Sequence, residues 1–174
     1  DIATYLGVSP EVVWSVILKP ANNYRHFPVK KRLGGTRVIS APRTYLKVMQ
    51  WWILDSILEH GEISPHAYGF VKGRSFVDNA RKHVGAQHML NVDISQFFPS
   101  IKRISVERVF GGFGYSPTAA SHMARVTTFQ DCLPQGAPTS PALANLYFRS
   151  YDEKLSAISN EYGFTYTRYA DDLT

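Results

Sequence analysis

Three aspartates are the side chains of this 174-residue sequence best suited to chemistry. Asp93 lies in the run NVDIS, and Asp171 and Asp172 stand side by side in YADDL. Neighbouring carboxylates repel each other, and their pKa values rise unless a cation holds them. Oxygen ligands of this kind favour Mg²⁺ or Mn²⁺, and two such ions can activate a hydroxyl and stabilise a leaving oxygen in phosphoryl transfer. The alternative is that the Asp-Asp pair only marks a surface turn.

Two predicted strands must bring these aspartates together. The run HMLNVDI, residues 88–94, is apolar and β-branched, and Pro99 breaks the chain after it. The run FTYTRYA, residues 164–170, alternates in the manner of a strand. If the two strands pair, Asp93 meets the acidic pair at the tip of a hairpin. The metal-site prediction depends on this pairing.

Local signals predict the elements that precede the acidic pair. Residues 27–42 predict two basic strands around a Gly34-Gly35 turn. Residues 44–61 carry apolar side chains at helical spacing, and Ser75 is predicted to cap a short helix.

Three Ser-Pro pairs predict further helix starts, at Ser9, Ser116 and Ser140. In the last of these helices an apolar stripe is predicted to face a sheet, and it consists of Leu143, Tyr147, Tyr151, Leu155 and Ile158. Because helices and strands follow one another without a regular βαβ rhythm, we predict an α+β fold.

The charge balance points to a polyanionic partner. The formal net charge is +5. The first fifty residues contain a basic set against only two acids, and it consists of Lys19, Arg25, Lys30, Lys31, Arg32, Arg37, Arg43 and Lys47. Such a surface fits nucleic acid or a nucleotide triphosphate, although a merely solvated basic face is an equal alternative.

The remaining composition indicates an ordinary intracellular setting. Cys132 is the only cysteine, so no internal disulfide can form and we expect a reducing, cytoplasmic location. No apolar run approaches the roughly 18 residues of a membrane span, so no membrane partner is expected.

The motifs resemble those of a known enzyme family. YADDLT, NVDISQFFPSI and LPQGAPTSPALANL together resemble the catalytic motifs of reverse transcriptases, and bacterial retron-type enzymes are the most similar group. NARKH, from Asn79 to His83, matches their NAxxH pattern, and YGFVKGRS is similar to a loop that group II intron relatives also have. The resemblance implies a right-hand polymerase fold, with fingers plus a palm whose antiparallel sheet is packed by helices.

The resemblance also implies roles for individual residues. Asp93 and Asp171 match the positions that bind both metals, and Asp172 is the adjacent third carboxylate. Tyr169 would support the primer end. Phe98 matches the aromatic ring that closes off the sugar 2′ position and so selects deoxynucleotides; its alternative is a core aromatic role.

The resemblance also implies that two further segments bind the incoming nucleotide. Gln135 and Gly136 match the loop beneath the nucleotide. Lys30 or Lys31, together with Arg37, resembles the fingers hairpin that grips the triphosphate, since an arginine fork and a lysine point charge both suit phosphate. Which lysine makes this contact stays open.

RNA contacts are expected on the segment between the hairpin and the first catalytic strand. Lys72 and Arg74 would touch the template backbone, which gives affinity without reading sequence. Asn79 and His83 belong to the NAxxH pattern and are assigned to RNA as well, although a lone histidine more often supports a loop.

The resemblance divides the chain into four segments. Residues 1–88 are expected to form N-terminal helices and fingers, and 89–100 the palm strand with the first catalytic aspartate. Residues 101–133 are expected to form fingers and palm helices, and 134–174 a palm truncated after YADD.

The favoured function is therefore RNA-directed DNA synthesis with two Mg²⁺ ions, or Mn²⁺ in their place. Retron resemblance implies a structured non-coding RNA as template and primer, a DNA product, deoxynucleoside triphosphates, an accessory effector protein and a role in phage defence. The alternatives are a group II intron-like or other defence-associated reverse transcriptase, and a catalytically inert RNA-binding scaffold. An RNA-dependent RNA polymerase is disfavoured because Phe98 would block the 2′ position.

Residues 1–174 alone are expected not to polymerise, because enzymes of this type continue past YADD into the rest of the palm and a thumb. A primer-extension assay on this segment in isolation checks the expectation. Detectable extension would refute it.

Overall fold

The computed structural model describes residues 2–30 and 34–174, which form two compact units. The first unit joins Asp1–His60 with Phe98–Ser140, and the second joins Gly61–Phe97 with Pro141–Thr174. Each combines helices with one small antiparallel sheet, which confirms the predicted α+β class. Within the described residues, every helix is too short or too polar to cross a lipid bilayer.

The elements follow in chain order. The helices are α1 (Ile2–Leu6), α2 (Pro10–Leu18), α3 (Thr44–Ser56), α4 (Phe76–Arg81), α5 (Phe97–Ser100), α6 (Arg103–Gly112), α7 (Pro117–Thr127) and α8 (Ser140–Glu161). The strands are β1 (Tyr24–Lys30), β2 (Thr36–Pro42), β3 (Val92–Asp93), β4 (Arg168–Tyr169) and β5 (Asp172–Leu173). All three Ser-Pro pairs lie at helix starts, as predicted.

The first unit contains the predicted basic hairpin. Strands β1 and β2 pair antiparallel from Tyr24 opposite Pro42 to Lys30 opposite Thr36. Gly34 and Gly35 have φ values of 95° and 81°, a conformation that glycine adopts without steric cost. Lys31, one of the two predicted triphosphate contacts, lies outside the described residues.

The core of the first unit is apolar and is tied by one buried amide. Its side chains with no more than 1% exposure include Leu46, Met49, Ile53, Leu58, Ile101, Val106, Phe110 and Leu133. Gln50 on α3 donates through Nε2 to the Val126 carbonyl at 2.8 Å and to the Tyr24 hydroxyl at 3.1 Å. This amide therefore links α3 to both α7 and β1.

The loop between α7 and α8 is pinned against β2. The Ser40 N–H donates to the Gln135 carbonyl at 2.8 Å. Gly136 has φ 118°, and a Cβ atom added there would lie 2.7 Å from Ile39 Cγ2 and 3.3 Å from the Ser40 carbonyl oxygen. Both the backbone conformation and the contact with β2 therefore require glycine at position 136.

The second unit contains a three-stranded sheet in the order β3-β5-β4. Both neighbouring pairs are antiparallel. The regular strands are two residues long each, shorter than the runs 88–94 and 164–170 that sequence predicted. The predicted direct pairing of these two runs was wrong, because β5 lies between β3 and β4, but Asp93 does meet the acidic pair on this sheet, as expected.

The predicted apolar stripe on α8 is only partly buried. Leu143 is buried, but Tyr151 and Ile158 are 44% and 54% exposed. The buried side chains on this helix include polar groups, namely Asn145, Asp152 and Ser156. The stripe prediction was wrong because it assumed an apolar partner surface, whereas α8 buries hydrogen-bonding groups against a charged strand residue.

Gly136→Ala is expected to lower the free energy of unfolding by about 2 kcal/mol or more, since a strained φ and an overpacked contact each cost of the order of 1–3 kcal/mol. Gly111→Ala is the matched control. A Cβ at Gly111, in the last turn of α6, meets nothing within 4 Å, so alanine there is expected to be neutral or stabilising by up to about 1 kcal/mol. Urea unfolding measures both, and equal stabilities for the two variants would contradict the packing argument.

Candidate active site

The structure brings the first predicted aspartate against the acidic pair. Strands β3 and β5 pair so that Asp93 lies directly opposite Asp172. The Ile94 N–H also donates to the Asp171 carbonyl at 2.9 Å. Backbone hydrogen bonds therefore hold three carboxylate-bearing residues at one place on the sheet of the second unit.

A tight turn presents the acidic pair. Strands β4 and β5 form a hairpin in which Tyr169 pairs with Asp172, and Ala170 and Asp171 make the connection. Ala170 has φ 58°, a left-handed conformation that non-glycine residues adopt infrequently. Its side chain is buried, Asp171 is half-buried, and Asp172 is exposed. The turn thus keeps its backbone against the protein and directs Asp172 toward solvent.

The carboxylates repel each other at this site. The pKa of Asp172 lies above its ordinary value, first because of partial burial and then because of the negative charges of Asp171 and Asp93. Opposite charge nearby is the simplest way to stabilise the ionised form of all three groups. The site therefore has the electrostatics that a divalent cation relieves.

The donor set fits a hard cation, although it does not form a finished cage. Among the described residues, no group of three or more His, Cys, Asp or Glu side chains is arranged to hold a metal ion. Mg²⁺ is usually bound by one or two carboxylates, with water and substrate phosphates supplying the other ligands. The carboxylates of Asp93, Asp171 and Asp172 are oxygen donors that could serve as such a partial ligand set.

The predicted nucleotide contacts lie in the first unit. Lys30 ends β1 and is exposed, and Arg37 is exposed on β2 opposite Val29. Gln135 and Gly136 lie against β2, the strand that carries Arg37. The structure therefore assembles this predicted group on one hairpin and one loop of the same unit.

Phe98 and Phe97 differ in environment. Phe98 is half-buried in α5 and belongs to the first unit. Phe97 is 4% exposed, and its ring lies 5.4 Å from that of Phe148 in the second unit. The role of Phe98 at the sugar 2′ position stays a prediction.

The residues assigned to RNA are engaged to different degrees with the protein. Lys72 is exposed. Arg74 donates through Nη1 to the carbonyls of Ser64 and Ala67, at 2.7 and 2.6 Å, so part of its guanidinium supports its own loop. The loop then enters α4 through a capping box in which Ser75 and Asp78 each accept from the backbone N–H of the other.

The two NAxxH residues lie on and just after α4. Asn79 is half-buried, and its Oδ1 atom has no hydrogen-bond partner among the residues that the structure describes. His83 Nε2 lies 2.7 Å from Thr167 Oγ1, and burial lowers the pKa of this imidazole. The contact gives His83 a supporting role next to β4, while the RNA contacts of all four residues stay predictions.

Sequence reasoning missed a buried polar group behind the turn. Arg168 and Asp152 have no exposed side-chain surface and form a salt bridge at 2.8 Å. One signal was available, because Arg168 has the same parity as Phe164 and Tyr166 in the alternating run FTYTRYA. A cation at an apolar position predicts a buried partner, but nothing local identifies Asp152 as that partner.

Comparison with known proteins identifies the family. The family model described as reverse transcriptase (RNA-dependent DNA polymerase) matches residues 29–174. The chain is 38% identical over 196 residues to the retron Mx65 reverse transcriptase of Myxococcus xanthus, an alignment that spans the whole chain and 46% of that protein. It is 37% identical over 176 residues to the retron Ec86 reverse transcriptase of Escherichia coli, which spans the whole chain and 55% of that relative.

The chain thus spans about half the length of these curated relatives. Its matched region includes the hairpin loop, the pinned glycine loop and all three aspartates. The chain belongs to the reverse transcriptase family, and within that family it is similar to retron enzymes.

Proposed function

We propose that the full-length protein is an RNA-directed DNA polymerase that copies part of a structured non-coding RNA into DNA. The observation that carries the proposal is the pairing of Asp93 with Asp172, beside Asp171, within the region that matches the family. The names of its relatives favour a retron enzyme over the group II intron-like alternative.

The three aspartates would hold two Mg²⁺ ions, with Mn²⁺ as an alternative. Bound metal would supply activation of the primer hydroxyl and stabilisation of the leaving oxygen. The exposed Asp172 and half-buried Asp171 are presented by a turn whose backbone is fixed. Tyr169, beside Asp172 in the hairpin, would support the primer end.

The first unit would bind the incoming deoxynucleoside triphosphate. Arg37 and either Lys30 or Lys31 would contact its phosphates from the hairpin, which we assign to the fingers. Gln135 and Gly136 would lie beneath the nucleotide, where glycine lets the backbone come close. The sheet of the second unit would be the palm.

The RNA would bind through the segment that precedes β3. Lys72 and Arg74 would contact its backbone, and Asn79 and His83 would help to order this surface. The net charge of +5 supports a polyanionic partner. An accessory effector, a role in phage defence and a cytoplasmic location follow from the retron assignment and form part of the proposal.

Asp171→Asn in the full-length protein is expected to reduce the rate of primer extension about a hundredfold or more. The variant would lose a carboxylate ligand of the metal, and stabilisation of transition-state charge by a bound metal is worth several kcal/mol. Glu153→Gln is the control, since Glu153 is an exposed acid on α8 of the same unit. Extension rates with an RNA template and RNA binding by filter retention are measured together. Normal extension by Asp171→Asn, or equal loss in both variants, would contradict the assignment.

Phe98→Ala is expected to relax sugar selection, because a small side chain leaves room for the ribose hydroxyl. The ratio of kcat/KM for deoxynucleotides to that for ribonucleotides should fall about tenfold or more, because one steric contact discriminates between substrates by about 1–3 kcal/mol. Phe164→Ala, at a 63% exposed ring, is the control. An unchanged ratio in active Phe98→Ala would refute this role.

A further inference from the structure

Arg168 is a fully buried cation two residues before Ala170, which begins the turn between β4 and β5. It lies on β4, and its Nε and Nη2 atoms donate to the two carboxylate oxygens of Asp152 on α8, each at 2.8 Å. Its guanidinium carbon lies 5.0 Å from the ring centre of Phe148 and 5.9 Å from that of Phe97. The bidentate pair and the flanking rings fix the orientation of this side chain.

The remaining guanidinium nitrogen reaches the turn itself. Nη1 of Arg168 donates to the carbonyl oxygen of Ala170 at 3.0 Å and to Asn145 Oδ1 at 3.0 Å. The Asn145 Nδ2 atom in turn donates to the Gly69 carbonyl at 3.0 Å. One connected set of hydrogen bonds therefore links α8, the Gly69 loop and the residue that precedes the acidic pair.

The turn is also confined on its other side. A Cβ atom at Gly69 would overlap the backbone nitrogen of Ala170, so the two backbones are in direct contact. Ala170 has a left-handed φ of 58°, which an alanine keeps only where its surroundings impose it. Gly69 and Arg168 together supply such surroundings.

The acidic pair needs this support because its own charges oppose the arrangement. Asp171, Asp172 and Asp93 carry like charge at one place on the sheet, and β5 is a regular strand of two residues. Without a fixed Ala170 carbonyl, the turn can relax away from Asp93. A misplacement of about 1 Å in such a group can lower a rate about a hundredfold.

We propose that Arg168, oriented by Asp152 and Asn145, is a positioning residue that fixes the Ala170 carbonyl and thereby the placement of Asp171 and Asp172 for metal binding. The inference rests on the proposed polymerase function. It differs from a general stabilising role, in which the Arg168–Asp152 pair would only join α8 to β4.

Tyr166 provides a matched control for that general role. Its hydroxyl donates to Asp152 Oδ1 at 2.8 Å, so Tyr166→Phe removes a buried hydrogen bond from the same carboxylate. No hydrogen bond of Tyr166 reaches Ala170 in the described part of the chain. This variant therefore weakens the network and leaves the contact with the turn in place.

Arg168→Lys is the test variant, because one ammonium group cannot hold Asp152 by two bonds and also reach Ala170 and Asn145. In the full-length protein with its RNA, at a temperature where each variant is folded, kcat is expected to fall about 10- to 100-fold. The KM for template-primer should stay unchanged, and the Mg²⁺ concentration for half-maximal rate should rise. Tyr166→Phe should remain within about twofold of the parent protein.

Hydrogen-deuterium exchange of the metal-free protein gives a readout that does not depend on activity. Arg168→Lys should accelerate exchange in the peptide that covers residues 169–173, and Tyr166→Phe should not. Asn145→Leu, which keeps the Arg168–Asp152 pair, should shift exchange in the same direction and replaces Arg168→Lys if that variant does not fold.

Two results would overturn the inference. One is equal exchange at the turn in all variants, and the other is a loss of activity that matches the loss of folded protein in Arg168→Lys and Tyr166→Phe alike. Absence of extension by the parent protein would instead count against the proposed function, while the exchange experiment would still decide the role of Arg168.

Discussion

Mutual repulsion of three carboxylates is the constraint on which the rest of this structure depends. Asp93 and Asp172 face each other across paired strands, with Asp171 beside them. Partial burial, and after it the negative charges of Asp171 and Asp93, raise the pKa of Asp172. Strands of two residues contribute few hydrogen bonds of their own. The buried polar groups of the second unit therefore add to the backbone hydrogen bonds that hold this arrangement.

A buried ion pair is weak evidence for stability, since desolvation opposes the attraction between its charges. The pair formed by Arg168 and Asp152 makes better sense as a device for specificity. It directs one guanidinium nitrogen at one backbone oxygen, which an apolar core cannot do. In the first unit, Gly136 also fixes the position of a loop, but by close packing and not by hydrogen bonds to a charged side chain. Because it lacks a Cβ atom, the loop lies directly on β2.

Local signals predicted much of this fold from sequence. The Ser-Pro pairs, the Gly34-Gly35 turn and the Ser75 cap each act within a few residues, so their outcome does not depend on the rest of the chain. The expectation that Asp93 meets the acidic pair on one sheet was also correct, but the strands of runs 88–94 and 164–170 do not pair directly, because β5 lies between them. The exposure of Tyr151 and Ile158 was not predicted. The salt bridge between Asp152 and Arg168 decides which face of α8 is buried, and these two residues lie on different elements. The contacts of Lys30, Arg37 and Phe98 with substrate depend on molecules that no side-chain pattern can position, and they stay predictions.

The order of the chain has a consequence for how the site comes into being. Both units are discontinuous, and the whole segment Phe98–Ser140 of the first unit intervenes between β3 and β5. During synthesis from the N-terminus, Asp93 therefore leaves the ribosome long before its partner strand exists. Nascent chains fold as their segments emerge, so the first unit can fold before β5 has been synthesised. The pairing of β3 with β5 is then one of the last events in the folding of this region.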